Sequence, residues 1–137
     1  MSGKNPVVHF EMPYEDRQRL VKFYSEALGW QMSDTGEEMG HYVLASTAET
    51  DENQMVKTPG TINGGFYPKQ ALPEGVPAIT SLVISVADVR AAMADVTKAG
   101  GTVLGEPMPI PGIGQYVSFT DTEGNRVSLL QPDKRDC

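Results

Sequence analysis

The sequence predicts an α+β fold built from two copies of one strand–helix–strands unit. Two strand-like runs, 7–12 and 81–86, are each followed by an amphipathic helix that begins after an aspartate and ends at a glycine. The two aspartates, Asp16 and Asp88, are 72 residues apart. A repeat of this length indicates two equivalent structural units. We therefore expect a pseudo-symmetric sheet in a single domain of 137 residues, with the functional site where the copies meet.

Composition and charge exclude several functional classes. The net charge of −7 argues against nucleic-acid binding, because a phosphate-binding face needs concentrated Lys and Arg. One cysteine, Cys137, permits no intramolecular disulfide and implies no oxidising compartment. The N-terminus lacks the apolar run of a signal peptide, and no stretch approaches the ~20 apolar residues that span a bilayer. We expect a cytoplasmic protein without nucleic-acid or membrane partners.

The first copy begins with an alternating strand at 7–12. The alternation places His9 and Glu11 on the face opposite the helix, and Pro13 is expected to end the strand. The helix is predicted from about Asp16 to Leu28, with strands and a polar, mobile loop after it. The strands are predicted at 29–32, 41–45 and 61–67, and the loop at 46–60. The double glycine of the last strand indicates a bulge or a close backbone approach.

The second copy follows an irregular, proline-rich linker at 68–78. Its first strand is expected to turn Leu82, Ile84 and Val86 toward the core. The helix is predicted from about Asp88 to Ala99. Strands are predicted at 102–106, 115–120 and 126–130, with a proline-glycine loop at 107–114.

Several segments carry a family resemblance through their order and spacing. They are V-H-F-E-M-P (8–13), F-Y-S-E-A-L-G-W (23–30), S-V-A-D-V (85–89), A-G-G (99–101), P-G-I-G (111–114) and D-T-E-G-N-R-V-S-L-L-Q-P (121–132). In these the chain resembles the vicinal oxygen chelate superfamily, which includes glyoxalases, bleomycin-resistance proteins and extradiol dioxygenases. It is most similar to the short glyoxalase-related members.

The resemblance implies two tandem βαβββ units that form a curved mixed-sheet half-barrel around a concave cavity. It gives one domain over 1–137, with unit one at about 6–67 and unit two at about 79–132. It also implies a homodimer, because superfamily members often complete their cavities across a subunit interface and open sheet edges need covering.

Metal-using members of the superfamily carry their ligands on the first and last strand of each unit. His9 matches such a position, but Ser81 and Ser128 stand at two others, and the fourth, near 63–65, has no carboxylate. Hydroxyls are poor substitutes for imidazole or carboxylate, and Glu11 would bring the set to only two protein ligands. We therefore predict no high-affinity metal site and no other cofactor.

Two groups of residues are candidates for a small-molecule site. His9 and Glu11 are candidate general bases. The alternatives are a hydrogen-bonded histidine packed in the sheet and a carboxylate paired with a cation such as Arg126. Ligand-binding candidates are Trp30, Tyr42, Tyr67 and Tyr116 as an aromatic wall, with at most two touching ligand, and Asn63, Ser81, Gln115, Ser118 and Ser128 as hydrogen-bonding groups. His41 is expected in a turn.

These residues leave three functional hypotheses. The first is a metal-independent protein that binds a small hydrophobic or aromatic molecule in its cavity. The second is a lyase or isomerase that uses Glu11 or His9 as general base. The third is a non-catalytic interaction module whose cavity is filled by its own side chains.

Overall fold

The computed structural model describes residues 4–53 and 56–133 and contains the predicted repeat. Cys137 lies outside the described residues. The helices and strands are β1 (Val7–Tyr14), α1 (Arg17–Leu28), β2 (Gln31–Asp34), β3 (Val43–Ser46), β4 (Asn63–Pro68), β5 (Ser81–Ser85), α2 (Val89–Lys98), β6 (Thr102–Ile110), β7 (Gly114–Thr120) and β8 (Arg126–Pro132). Short 3-10 helices span Glu37–Met39 and Lys69–Ala71. The order βαβββ occurs twice, which confirms the predicted α+β class.

The chain divides into two compact units. The N-terminal unit is His9–Thr80, and the C-terminal unit comprises the segment through Val8 together with the residues from Ser81 onward. In the N-terminal unit the strands lie in the order β2-β3-β4-β1, and β1 pairs with β4 in parallel. In the C-terminal unit the order is β5-β8-β7-β6, and β5 pairs with β8 in parallel. Each unit is thus a mixed sheet with one helix.

Both helices begin as the sequence predicts. The Asp16 carboxylate accepts a hydrogen bond from the Arg19 amide at 3.1 Å, which satisfies one of the free N–H groups at the start of α1. The Asp88 carboxylate accepts from the amides of Arg90 and Ala91 at the start of α2. Helix α1 ends at Gly29, whose φ of 71° is the left-handed conformation that glycine adopts without strain.

Each helix packs on a separate apolar core. The N-terminal core consists of Tyr14, Val43, Ala45 and Phe66, with Phe10, Met12, Leu20, Val21, Tyr24, Trp30 and Met32 packed against it. The C-terminal core consists of Val86, Val89, Val117, Phe119 and Leu129, with Ile84, Ala92, Met93, Val96, Val103 and Val127 around it. Because the helices cover these faces, the opposite face of each sheet remains for polar chemistry.

Three details differ from the predictions. Strand β1 does not end at Pro13 but continues to Tyr14, because Pro13 pairs in register with Tyr67. Strand β6 extends to Ile110 through residues predicted as a loop, with a register shift between Leu104 and Met108. Leu82 is 43% exposed rather than part of the core.

Within residues 4–53 and 56–133, no helix is long and apolar enough to cross a membrane.

Candidate functional site

A chain of hydrogen bonds joins His9, Tyr42 and Glu11 in the N-terminal unit. The Tyr42 hydroxyl lies 3.0 Å from His9 Nε2 and donates to Glu11 Oε2 at 3.0 Å. His9 and Glu11 are two residues apart on β1, so their side chains project from one face of the sheet. Phe10, between them, packs into the helix-side core. The predicted facing of His9 and Glu11 is therefore confirmed, and Tyr42 connects them.

Glycine at position 65 makes this connection possible. Gly65 pairs with Glu11 on one side and with Leu44 of β3 on the other. A Cβ at position 65 would overlap the ring and hydroxyl of Tyr42. On the opposite face, a Cβ at Gly64 would overlap the Phe10 ring. The double glycine thus provides the close approach that the sequence indicates, with one aromatic ring on each face of β4.

Burial controls the charge of His9. Removal from water lowers the pKa of its imidazole below the usual value of 6.5, and the nearby Glu11 carboxylate opposes this only in part. Burial therefore favours the neutral form of the ring. A neutral imidazole has one N–H donor and one lone-pair acceptor, so it can both orient a ligand and accept a proton.

The C-terminal unit has a cluster of hydroxyl groups on the corresponding strands. Ser128 is fully buried and donates to the Tyr116 hydroxyl at 2.7 Å, and its oxygen lies 3.0 Å from that of Ser118. Ser81, also buried, donates to the carbonyl of Arg126 at 3.1 Å. These hydroxyls hydrogen-bond within their own unit.

The strand registers show which positions correspond. Leu44 and Glu11 flank Gly65, as Ser118 and Val83 flank Ser128. Tyr42 precedes Leu44 by two residues, and Tyr116 likewise precedes Ser118. Each tyrosine therefore lies diagonally to the central position of its unit, which is Gly65 in one and Ser128 in the other. The tyrosines correspond, but their hydrogen-bond partners differ.

Trp30 packs in the N-terminal core. It stacks on Tyr24 with ring centroids 4.7 Å apart, and it packs against Phe10 in the helix-side core. Trp30 is therefore one of the four aromatic candidates that pack in the core, and its ring lies on the opposite face of the sheet from that of Tyr42.

The remaining candidates have structural partners. Tyr67 donates to the carbonyl of Ile79, and Asn63 Oδ1 accepts from the amides of Thr47 and Ala48. Gln115 pairs with Gln131 in the β7–β8 ladder. A ligand-binding role for Tyr67, Asn63 and Gln115 stays a prediction.

His41 lies in a turn, as expected, with a φ of 58°. Its Nδ1 is 3.5 Å from Asp34, which also forms an ion pair with Arg17 at 3.1 Å. The Gly36 amide, together with Arg17 and His41, holds the pKa of the Asp34 carboxyl below its usual value. No local pattern indicates this cluster, because its members come from a helix, a strand and a turn.

The residues at the family's metal-ligand positions form hydrogen bonds within their own units. His9 Nε2 lies against the Tyr42 hydroxyl, and the two family-position serines are hydrogen-bonded inside their unit. Among residues 4–53 and 56–133, no three His, Cys, Asp or Glu side chains are grouped so that they could hold a metal ion. Hydroxyls that remain protonated are weak ligands for such ions.

Comparison with known proteins establishes the family. The model for the Glyoxalase/Bleomycin resistance protein/Dioxygenase superfamily matches residues 7–129, and the chain belongs to this family. A probable lactoylglutathione lyase of Vibrio parahaemolyticus is 30% identical over 127 residues, which cover 91% of this chain and 89% of that protein. A probable lactoylglutathione lyase of Vibrio cholerae is 28% identical over the same length.

Solved structures share the fold at low identity. A variant of Streptomyces coelicolor methylmalonyl-CoA epimerase has a TM-score of 0.68 and 17% identity, covering 95% of this chain and 99% of that one. Methylmalonyl-CoA epimerase from Mycobacterium tuberculosis has a TM-score of 0.67 and 15% identity, covering 98% and 94%. At these identities the likeness shows the fold alone.

Proposed function

We propose that this chain binds a small hydrophobic or aromatic molecule and needs no tightly bound divalent metal to do so. His9 and Glu11, which Tyr42 connects, orient the ligand through hydrogen bonds, and neighbouring apolar side chains supply most of the affinity. The observation that carries the proposal is the hydrogen-bonded chain itself. It commits the one retained family-position ligand, His9, to a tyrosine hydroxyl.

Exposed apolar side chains beside the polar groups support this class of ligand. Leu44 is 46% exposed and pairs in register with Gly65. The Tyr42 ring lies over Gly65. In the C-terminal unit, Leu104 and Met108 are also exposed and pair in register with Ser118 and Tyr116. Apolar surface next to a few fixed polar groups is typical of small-molecule sites.

Thermal denaturation with a panel of planar aromatic compounds tests the proposal, each compound being measured with and without EDTA. We expect at least one compound to raise Tm in a saturable way, with no loss of the shift in EDTA. Leu44→Gln should weaken that shift. Phe23→Gln, a matched change at an exposed position of α1, should leave it intact. Loss of every shift in EDTA would contradict metal independence, and a panel with no shift would contradict the binding function.

A lyase or isomerase is the second candidate. The neutral state of His9 and its link to Glu11 favour it, because a general base must be unprotonated at the working pH. The names of the Vibrio relatives support the same reaction class. Incubation with lactoylglutathione, with wild-type protein and a His9→Gln variant, distinguishes this candidate from a binder. Turnover that the variant loses would establish the enzyme, and binding without turnover would favour the first proposal.

We also propose that the protein forms a homodimer. Strands β2 and β6 are edge strands of the sheets in their units. The unpaired backbone groups of an edge strand are usually covered by another part of the protein or by a partner chain. Light scattering coupled to size-exclusion chromatography measures the mass directly. A monomer of 14.8 kDa at micromolar concentration would contradict the dimer.

A further inference from the structure

We propose that Tyr42 is a positioning residue that fixes the ring tautomer of His9, with the hydrogen on Nε2 and the acceptor lone pair on Nδ1. The inference deepens the proposed function and rests on it in one respect, namely that a ligand uses this imidazole. Such a ligand would bring a hydrogen-bond donor or a weakly acidic proton to Nδ1. Tyr42 itself acts through His9 and need not touch the ligand.

The number of protons in the hydrogen-bonded chain determines the tautomer of His9. An ionised carboxylate only accepts hydrogen bonds, so the 3.0 Å contact with Glu11 uses the single proton of the Tyr42 hydroxyl. The Tyr42 oxygen can then only accept at its 3.0 Å contact with His9. Nε2 must therefore carry the hydrogen. A neutral imidazole carries only one ring hydrogen, so Nδ1 is then its acceptor.

The position of the tyrosine ring is also fixed. The ring passes over Gly65, where a Cβ would overlap both its carbons and its hydroxyl. The hydroxyl thereby reaches two side chains of β1 that lie 31 and 33 residues earlier in the chain. Gly65 is outside the positive-φ region, so alanine at this position changes space rather than backbone conformation.

Nitrogen NMR of the ligand-free protein tests the inference. The chain has two histidines, so a sample labelled with 15N-histidine gives two imidazoles, and a His41→Asn variant assigns them. At pH 7.5 we expect His9 to show a protonated Nε2 and an unprotonated Nδ1. Tyr42→Phe should reduce the ratio of the two tautomers on the order of tenfold, the equivalent of one hydrogen bond.

Two more variants make the test directional. Glu11→Gln can donate its amide proton to the Tyr42 oxygen and so turn the hydroxyl proton toward His9, which should raise the Nδ1–H population. Tyr67→Phe also removes one tyrosine hydroxyl bond, that to Ile79, and should leave the His9 spectrum unchanged. Far-UV circular dichroism checks that each variant is folded, and the wild-type and Glu11→Gln spectra decide the question if Tyr42→Phe does not fold.

The outcomes separate this inference from the function. A wild-type His9 with its hydrogen on Nδ1, or a folded Tyr42→Phe variant with the wild-type spectrum, would overturn the role of Tyr42. Neither result depends on a ligand. Conversely, if the predicted tautomer is found but no compound in the panel binds, the positioning role stands and the binding function fails.

Discussion

The space above Gly65 leads to a quantitative prediction for Gly65→Ala. The added methyl group would occupy the position of the Tyr42 ring, so the ring must move away from the sheet. Movement of the ring breaks the hydrogen bonds of its hydroxyl to His9 and Glu11. The substitution therefore acts on the polar chain although position 65 has no side chain of its own.

The cost can be estimated from the bonds that are lost. A hydrogen bond to a charged group contributes about 1.5–3 kcal/mol and one between neutral groups about 0.5–1.5 kcal/mol. Alanine recovers about 0.4–1 kcal/mol by restricting the unfolded chain, since its backbone conformation is allowed here. We expect a net loss of about 2–3 kcal/mol in the free energy of unfolding. For a domain of this size that lowers Tm by about 5–10 °C.

Urea unfolding of a double-mutant cycle measures the effect. Gly65→Ala is compared in the wild-type background and in a Tyr42→Ala background, where the obstructing ring is absent. We expect most of the cost to disappear in the second background. Equal costs in both backgrounds would refute the steric argument, as would a Gly65→Ala protein within about 0.5 kcal/mol of wild type.

Three further predictions concern stability. The pKa of His9 is lowered in the folded state, so the unfolded chain binds the proton first as the pH falls. The free energy of unfolding should therefore decline below pH 6.5, the ordinary pKa of histidine. Urea midpoints measured between pH 8 and 5.5 should show this decline, and the His9→Gln variant should show a smaller one. Asp88→Ala removes the N-cap of α2 and should lower the free energy of unfolding by about 1 kcal/mol. Asp95→Ala, on the exposed side of the same helix, should lower it much less in the same urea assay. Leu129→Ala should lower the free energy of unfolding by about 2–5 kcal/mol, because the side chain is only 4% exposed in the core. Leu104→Ala, at a position that is 45% exposed, should have a small effect. The Tm of each variant measures the difference.

Local signals predicted the elements that depend on local chemistry. Asp16 and Asp88 are N-caps because their carboxylates reach amides two or three residues ahead, and this pattern is visible in the sequence. Strand β6 was predicted too short because prolines usually interrupt strands. In the structure, β6 is the outermost strand of the order β5-β8-β7-β6. Gly105, with a φ of 103°, lies at the register shift between β6 and β7. A register shift of this kind depends on the partner strand and not on the local sequence.

The sequence predicted on which face of the sheet the candidate site lies, but not which residue connects His9 to Glu11. Period-two alternation placed His9 and Glu11 on one face, and the double glycine indicated a close approach. Nothing local connects Tyr42 to β1, because the contact arises only when β3, β4 and β1 lie side by side. The sequence also left open which of the four aromatic candidates belong to the core, because the face on which a ring such as that of Trp30 packs is decided only when the sheet forms.

The two units show how one position can decide the chemistry of a face. Gly65 and Ser128 occupy the same place in their registers, and a tyrosine lies diagonally to each. Where the position is glycine, the ring crosses the strand and its hydroxyl reaches the imidazole and carboxylate of β1. Where it is serine, the serine itself bonds to the tyrosine, and the corresponding residue of the neighbouring strand is an apolar valine. The repeated fold thus holds a hydrogen-bonded imidazole, phenol and carboxylate in one unit and a hydroxyl cluster in the other, so the candidate base lies in the N-terminal unit.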